Sequence, residues 1–233
     1  MQTQDIDYAA DGTTLRGYLA FNEAAGARPG VLVFHEGLGL GDFAMEKARQ
    51  LASLGYVALA ADMFGERQQA RNLQEVATLV GGLRAEPDRL RARAMAALEA
   101  LAGLPQVDRG RLAAVGFCFG GSVVLELARS GADLKAVVSF HGVLATKLPA
   151  AEGEVKASVL VLTGAEDPLA PPDQVTAFEQ EMRTARVADW QVVSYGNTLH
   201  GFANPAADGS MMRTALYHPQ SDRPLMGGHE SVL

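Results

Sequence analysis

A chain of 233 residues, 48% hydrophobic and 20% charged, is large enough to bury the core of one α/β domain. Its 20 basic and 27 acidic side chains give a net charge of −7. The basic residues form no stripe, so nucleic acid and an anionic membrane surface are excluded as expected partners. The single cysteine excludes an internal disulfide and fits a reducing compartment.

The amino-terminal residues lack the charged and then apolar leader of a signal peptide. The apolar runs are far shorter than the roughly 20 residues that cross a bilayer. The sequence therefore predicts a cytoplasmic protein, and it contains no feature that indicates an oligomeric state.

The predicted elements begin with two strands, at about 4–8 and 14–20, around an Ala-Asp-Gly turn, which indicates an antiparallel hairpin. Short apolar runs then alternate with helical patterns. The predicted strands lie at 31–34, 57–60, 112–115, 136–140, 158–162 and 191–194. The helical patterns lie at about 42–54, 72–83, 88–102, 119–130 and 172–185.

This alternation predicts an α/β fold with a mostly parallel, twisted sheet, helices on both faces and an N-terminal antiparallel hairpin. All the strands after the hairpin except the last are almost continuously apolar, which is typical of parallel strands covered on both faces. We expect one domain over residues 1–217. Residues 218–233 contain prolines and glycines and no helical period, so we expect an irregular tail there.

Residues 116–121 read Gly-Phe-Cys-Phe-Gly-Gly, between an apolar strand and an apolar helical run. Glycines flanking one nucleophilic residue at a strand-to-helix turn are typical of a nucleophile elbow, in which a Cβ at the glycine positions would crowd the strained backbone. The residue at the apex is usually serine. Here it is Cys118, so the sequence indicates a thiol nucleophile.

Polar residues follow other predicted strands, whose ends meet at one rim of an open α/β sheet. Asp167 follows strand 158–162, and His200 follows strand 191–194. The chain order of nucleophile, acid and base is that of α/β-hydrolases. His200 would transfer protons, and Asp167 would hold its imidazole in the required tautomer. A helix N-terminus and a nearby imidazole also favour the thiolate form of a cysteine.

The oxyanion formed by attack on a carbonyl needs hydrogen-bond donors, and we expect them to be the backbone N–H groups of Gly37 and Phe119. Three other polar residues near the rim are assigned structural roles. We expect His35 to pack or hydrogen-bond beside the site, His141 to order a loop, and Asp62 to organise the loop that follows it. No Cys/His cluster has metal-ligand spacing, so the sequence indicates no metal site and no cofactor.

The chain resembles the dienelactone hydrolase family of α/β-hydrolases. The resemblance rests on motifs that span nearly the whole chain up to about residue 217. These are His-Glu-Gly at 35–37, Ala-Asp-Met-Phe-Gly at 61–65, the cysteine elbow at 116–121, Gly-Ala-Glu-Asp-Pro at 164–168 and His-Gly-Phe at 200–202.

The resemblance implies a role for Glu36. In the family, this glutamate contacts the resting thiol, moves away when substrate binds and takes up the thiol proton. A purely structural alternative for Glu36 is a buried carboxylate bonded to a neighbouring arginine or backbone amide.

Two features depart from the family pattern. The family grips a substrate carboxylate with arginines, one of them shortly after the catalytic histidine, whereas residues 201–204 here read Gly-Phe-Ala-Asn. Arg67, Arg71 and Arg84 are the possible replacements. Members also end with an amphipathic helix packed on the sheet, which the pattern at 218–233 does not predict.

The expected function is hydrolysis of small carboxylic esters or lactones through a Cys118–His200–Asp167 triad and a thioacyl-enzyme intermediate. Two alternatives stay open. An activated cysteine is readily oxidised, so the protein is alternatively a thiol redox sensor. The other alternative is a catalytically silent hydrolase-fold scaffold that binds partners.

Overall fold

One eight-stranded sheet and five helices form the fold of residues 1–23 and 26–222, the part of the chain that this computed structural model describes. The strands are β1 Gln2–Ala10, β2 Thr13–Phe21, β3 Arg28–Phe34, β4 Val57–Ala61, β5 Val107–Phe117, β6 Ala136–Phe140, β7 Ser158–Gly164 and β8 Trp190–Tyr195. The helices are α1 Asp42–Ser53, α2 Leu73–Ala85, α3 Pro87–Ala102, α4 Phe119–Arg129 and α5 Pro172–Thr184. None of these described helices is long and apolar enough to cross a membrane.

The strand order is β1-β2-β4-β3-β5-β6-β7-β8. β1 and β2 form an antiparallel hairpin whose register pairs Gln2 with Phe21 and Ala10 with Thr13, and β2 is antiparallel to β4. The other neighbours are parallel. The prediction of a mostly parallel sheet with an N-terminal antiparallel hairpin is confirmed.

Two apolar clusters cover the opposite faces of this sheet, because alternate side chains of each strand point in opposite directions. In β3, Leu32 and Phe34 join the cluster that holds the buried residues of α3, α4 and α5. Val31 and Val33 join the other cluster, with the buried alanines of α1. A central strand that is apolar on both faces therefore fixes the layered arrangement, as its continuous apolar run predicts.

The turn from β5 into α4 brings three backbone segments into contact. A Cβ atom on Gly116 would lie 2.0 Å from the carbonyl oxygen of Gly120, and one on Gly120 would lie 2.2 Å from the carbonyl oxygen of Phe34. The N–H of Gly120 also donates to the carbonyl of His35 at 2.9 Å. Only glycine allows the helix to start this close to both strands.

The predicted tail is described only as far as Asp222, and residues 223–233 lie outside the described residues. Residues 218–222 contain turns and no helix, and the predicted domain boundary at residue 217 stays a prediction. Ser221 and Asp222 are buried. His218 is half-buried, and its Nδ1 lies 2.9 Å from Ser221 Oγ.

The close approach at the elbow predicts that Gly120→Ala lowers the free energy of unfolding by about 1–3 kcal/mol, because the added methyl group overlaps backbone that cannot move away. Gly82→Ala is the matched control. Gly82 lies in α2 with nothing within 4 Å of the added Cβ, so this change is expected to stabilise the protein by about 0.5–1 kcal/mol. Urea denaturation of both variants measures the effects, and a Gly120→Ala protein as stable as wild type would contradict this account.

Candidate active site

A cavity of about 350 Å³ opens where β3, β5, β7 and β8 end, and it is lined by residues that follow each of these strands. Gly37 follows β3, Cys118 follows β5, Leu169 follows β7, and His200 follows β8. Its volume lies in the range of about 300–1,000 Å³ that is usual for small-molecule sites. The predicted residues Glu36, Gly37, Cys118, Phe119 and His200 thus line one cavity, although they come from distant parts of the chain, and Asp167 lies behind His200 outside the lining.

Cys118 lies at the apex of the turn between β5 and α4, with φ 53° and ψ −113°. A non-glycine residue is strained in this conformation and keeps it only where its surroundings hold it. The Cys118 N–H donates to the carbonyl of Phe140 at 3.0 Å and to Nδ1 of His141 at 3.1 Å. These contacts fix the backbone of Cys118, while its half-buried side chain lines the cavity.

His200 and Asp167 form a buried pair, each 2% exposed. Nδ1 of His200 lies 2.8 Å from Oδ2 of Asp167, and Oδ1 of Asp167 accepts the N–H of Leu169 at 2.8 Å. Since Nδ1–H donates its hydrogen bond to the carboxylate, Nε2 of a neutral His200 is the ring atom left to accept a proton. Within the described residues this buried Nε2 has no hydrogen-bond partner.

The protonation of His200 depends on opposing effects. Burial disfavours the imidazolium, but the negative charge of an ionised Cys118 and the hydrogen bond to Asp167 outweigh burial and raise the pKa of His200 to about 10. Cys118 is therefore close enough to interact with the imidazole, even though its sulfur forms no regular hydrogen bond with Nε2. The surroundings of His200 therefore favour its imidazolium form.

Glu36 lies at the cavity wall, and its Oε2 accepts a hydrogen bond from Nδ2 of Asn204 at 2.5 Å. Burial raises the pKa of the Glu36 carboxyl, although the bond from Asn204 and the charges of His200 and Lys47 act in the opposite direction. The partner of Glu36 is thus a side-chain amide, and neither the arginine nor the backbone amide considered from the sequence. Asn204 occupies the stretch in which the family pattern has an arginine.

Gly37 and Phe119, whose backbone N–H groups are the expected oxyanion donors, both line the cavity. Phe119 begins α4, so its N–H has no acceptor within the helix. Neither N–H has a hydrogen-bond acceptor among the described residues. A Cβ on Gly37 would lie 2.9 Å from Cγ1 of Val76, so glycine also lets α2 pack close to this amide.

The three arginines considered from the sequence lie in different surroundings. Arg84 lines the cavity, and its guanidinium donates to Ser122 Oγ at 3.0 Å. Burial lowers the pKa of Arg84, whereas the charge of Cys118 acts in the opposite direction. Among the described residues, Arg84 forms no salt bridge. Arg67 instead binds the carbonyl of Gly17 away from the cavity, and Arg71 is exposed.

From the sequence, His141 was expected only to order a loop, and its contacts with Cys118 and His200 were not predicted. His141 is fully buried, has φ 40°, and accepts the N–H of Cys118. Its ring lies 4.9 Å from the ring of His200, in an edge-to-face arrangement. Burial and the neighbouring His200 charge hold the pKa of His141 well below its usual value, so it stays neutral. Its position directly after β6, at the same rim, was the available signal.

His35 and Asp62 have the structural roles expected of them. His35 is buried beside the site, with Nδ1 2.6 Å from the carbonyl of Glu36 and Nε2 accepting the N–H of Met63 at 3.2 Å. The carboxylate of Asp62 is fully buried and accepts four backbone N–H groups, those of Arg16, Phe64, Gly65 and Arg67. Asp62 therefore organises the loop after β4.

The mixed sheet, the strand-to-helix turn at Cys118 and the buried His–Asp pair at the same rim are those of the α/β-hydrolase fold, as predicted. The dienelactone hydrolase family model matches residues 15–223. A "Putative carboxymethylenebutenolidase" from Salmonella typhimurium is 30% identical over 206 residues, which cover 83% of this chain and 75% of that relative.

Two solved structures match over 97% of this chain and 94% of theirs. One, named m3DLH, is 43% identical with a TM-score of 0.91. The other, a dienelactone hydrolase-like promiscuous phosphotriesterase from metagenomic libraries, is 40% identical with a TM-score of 0.90. The chain belongs to the dienelactone hydrolase family. This membership confirms the predicted enzyme class, a hydrolase of carboxylic esters or lactones.

The electrostatics of His200 predict that its ring titrates near pH 10 in the wild-type protein and at lower pH in Cys118→Ala. The variant removes the charge that stabilises the imidazolium and keeps the burial that disfavours it, so the pKa must fall. NMR of ¹³C-labelled histidine rings between pH 5 and 11 measures both values. A wild-type pKa at or below the usual 6.5, or no change in Cys118→Ala, would rule out this interaction.

Proposed function

We propose that this protein hydrolyses small carboxylic esters or lactones with Cys118 as nucleophile, His200 as general base and acid, and Asp167 as the group that orients His200. The observation that carries the proposal is one cavity lined by the strained Cys118 and by His200, whose Nδ1 is paired with the buried Asp167. No cofactor takes part, and we propose a cytoplasmic location, which suits a free thiol.

The reaction proceeds in two halves. Glu36 takes up the thiol proton, which leaves a thiolate beside the protonated His200, and the thiolate attacks the carbonyl carbon to form a C–S bond. When the tetrahedral intermediate collapses, the C–O bond breaks and His200 donates its proton to the leaving alcohol. His200 then deprotonates a water molecule that attacks the thioester carbon, the C–S bond breaks, the acid leaves, and Glu36 returns its proton to the Cys118 thiolate.

The N–H groups of Gly37 and Phe119 hold the oxyanion in both tetrahedral intermediates. Their lack of acceptors among the described residues supports this role, because a preorganised donor must be free before charge develops. Removing one such donor typically costs about 2.7–4 kcal/mol of barrier stabilisation. The same N–H of Phe119 lies at the positive end of α4, which adds to the stabilisation of negative charge there.

Glu36 assists activation of the thiol in this proposal, as the family resemblance implies. Its raised pKa supports the role, since a carboxyl whose pKa is raised takes up a proton more readily. Asn204 donates a hydrogen bond to Oε2 of Glu36, and this bond stabilises the ionised carboxylate before Glu36 takes up the thiol proton. The Asn204 bond then weakens when Glu36 is protonated at that oxygen.

Arg84 replaces the missing arginine near Asn204 as the group that binds a substrate carboxylate. Removing a guanidinium partly from water without an acidic partner, as for Arg84 among the described residues, is costly, and an anionic ligand supplies that partner. Its single hydrogen bond to Ser122 leaves further N–H donors for a carboxylate. The substrate class is then an ester or lactone with a carboxylate within reach of Arg84.

The two alternatives explain less of the site. A thiol redox sensor requires no buried His200–Asp167 pair and no free amides at Gly37 and Phe119, and the chain has no second cysteine to resolve an oxidised Cys118. A catalytically silent scaffold requires neither the His200–Asp167 pair nor the free amides of Gly37 and Phe119. Both alternatives are decided by the same measurements on Cys118.

We expect Cys118→Ala to abolish hydrolysis of p-nitrophenyl acetate, and Cys118→Ser to retain weak activity because a serine oxygen is not ionised here. Mass spectrometry of the quenched wild-type enzyme should detect an acyl group on Cys118. His218→Ala, outside the cavity, is the control with unchanged turnover. Wild-type rates in Cys118→Ala overturn the assignment, and peroxide reactivity without any ester turnover favours the redox sensor.

The proposed role of Arg84 predicts that Arg84→Gln lowers kcat/KM for ethyl hydrogen glutarate by about 10- to 100-fold, the loss expected for a charge-assisted hydrogen bond. Ethyl pentanoate, a neutral ester of similar length, is the comparison substrate, and its kcat/KM should change far less. Equal losses for both esters would show that Arg84 supports the cavity wall and does not bind a carboxylate.

A further inference from the structure

Exposed apolar side chains are concentrated at the mouth of the cavity. Four of the large hydrophobic residues most exposed in the described part of the chain line it, from four separate segments: Leu38 at 36%, Leu73 at 48%, Leu169 at 39% and Met211 at 47%. Single exposed leucines are normal on a protein surface, but a contiguous group at the mouth of a cavity marks a binding surface. We call these four residues the apolar collar.

Helix α2 connects this collar to the charged end of the cavity. Leu73, Val76, Val80 and Arg84 all line it, at the three- and four-residue spacing that places side chains on one helical face. With a rise of 1.5 Å per residue, Leu73 and Arg84 are separated by about 16 Å along the helix axis. The face is apolar for roughly the 10 Å between Leu73 and Val80.

Only part of this apolar face helps to build the core: Val80 packs against the main apolar cluster, whereas Leu73 and Val76 are not among the residues of that cluster or packed against it. In α2, Leu83 is the one residue that is fully buried, and Val76 and Val80 are half-buried beside the cavity. When an apolar group covers apolar surface that was in contact with water, the free energy of the system falls. A carboxylate bound at Arg84 covers only one end of the face, so the remainder requires an apolar part of the substrate.

We propose that the preferred substrates are amphipathic esters, with a polar or anionic end at Arg84 and an apolar group that lies along Leu73, Val76 and Val80 and reaches the apolar collar. This rests on the function proposed above and adds the substrate class. The group that covers this apolar surface is part of the ester substrate, because the collar and the α2 face line the same cavity as Cys118. Leu73 and Val76 are then specificity-determining residues.

The test compares two series of substrates. One series is p-nitrophenyl acetate, butyrate and hexanoate, which lengthens the acyl group, and the other is ethyl, butyl and hexyl acetate, which lengthens the alcohol. In at least one series, kcat/KM should rise with length, by up to about fourfold per buried methylene group. The series that rises identifies which side of the ester lies along α2.

Leu73→Asn and Val76→Thr should each lower the ratio of kcat/KM for the longest ester to that for the shortest by about threefold or more in that series. Leu54→Asn is the matched control, because Leu54 is 69% exposed and lies outside the cavity. It should leave the ratio unchanged. Far-ultraviolet circular dichroism and thermal unfolding establish that each variant folds.

The proposal is overturned if kcat/KM falls with length in both series, or if Leu73→Asn and Val76→Thr leave the ratio at the wild-type value. This failure is separate from failure of the proposed function. If Cys118-dependent hydrolysis of p-nitrophenyl acetate is present but the length dependence is absent, only the substrate class is wrong. If Cys118→Ala hydrolyses p-nitrophenyl acetate normally, the proposed function itself is wrong.

Discussion

The close backbone contact at Gly120 is the constraint on which both the fold and the site depend. It lets α4 begin against the ends of β3 and β5, with the N–H of Gly120 bonded to the carbonyl of His35. The same contact sets the distance between Cys118 on one side and Gly37, two residues beyond His35, on the other. A larger residue at 120 would separate the nucleophile from the proposed oxyanion donor, so packing and chemistry share one requirement.

Burial decides how the site is charged. His200, Asp167 and His141 are all nearly inaccessible to water, and a buried charge is costly unless a partner offsets it. His200 has such partners in Asp167 and an ionised Cys118, which raise its pKa. His141 has the charge of His200 beside it and, within residues 1–23 and 26–222, no acidic partner, so it stays neutral and serves as an acceptor for the Cys118 N–H. Two histidines in contact therefore have opposite protonation preferences.

The cavity combines a charged inner end with an apolar mouth, and α2 contributes to both. The helix lies between β4 and α3 in the chain and packs through few fully buried side chains, so its inner face is available to substrate. Because Val76 and Val80 lie within 4 Å of the position that a Cβ on Gly37 would take, changes in α2 affect the surroundings of the oxyanion amide as well as the binding surface. Substrate preference and catalytic geometry are thus coupled through one helix.

The sequence alone determined the element order, the hairpin, the elbow at Cys118 and the rim positions of Asp167 and His200. These features depend on local patterns, namely apolar runs, helical spacing and glycines at a turn, which are present in short stretches of chain. Glu36 and its family role also came from the sequence, through resemblance. His35 and Asp62 were assigned correctly as structural because their loops follow buried strands.

Only the tertiary structure decided the partners of these groups. It paired Glu36 with Asn204, which lies 168 residues away, placed His141 against both Cys118 and His200, and selected Arg84 over Arg67 as the arginine of the cavity. It also buried Ser221 and Asp222 in a stretch that reads as a tail. Such contacts join residues distant in the chain, so no local pattern encodes them. They depend on how strands and helices pack and on which buried charges that packing leaves to be paired.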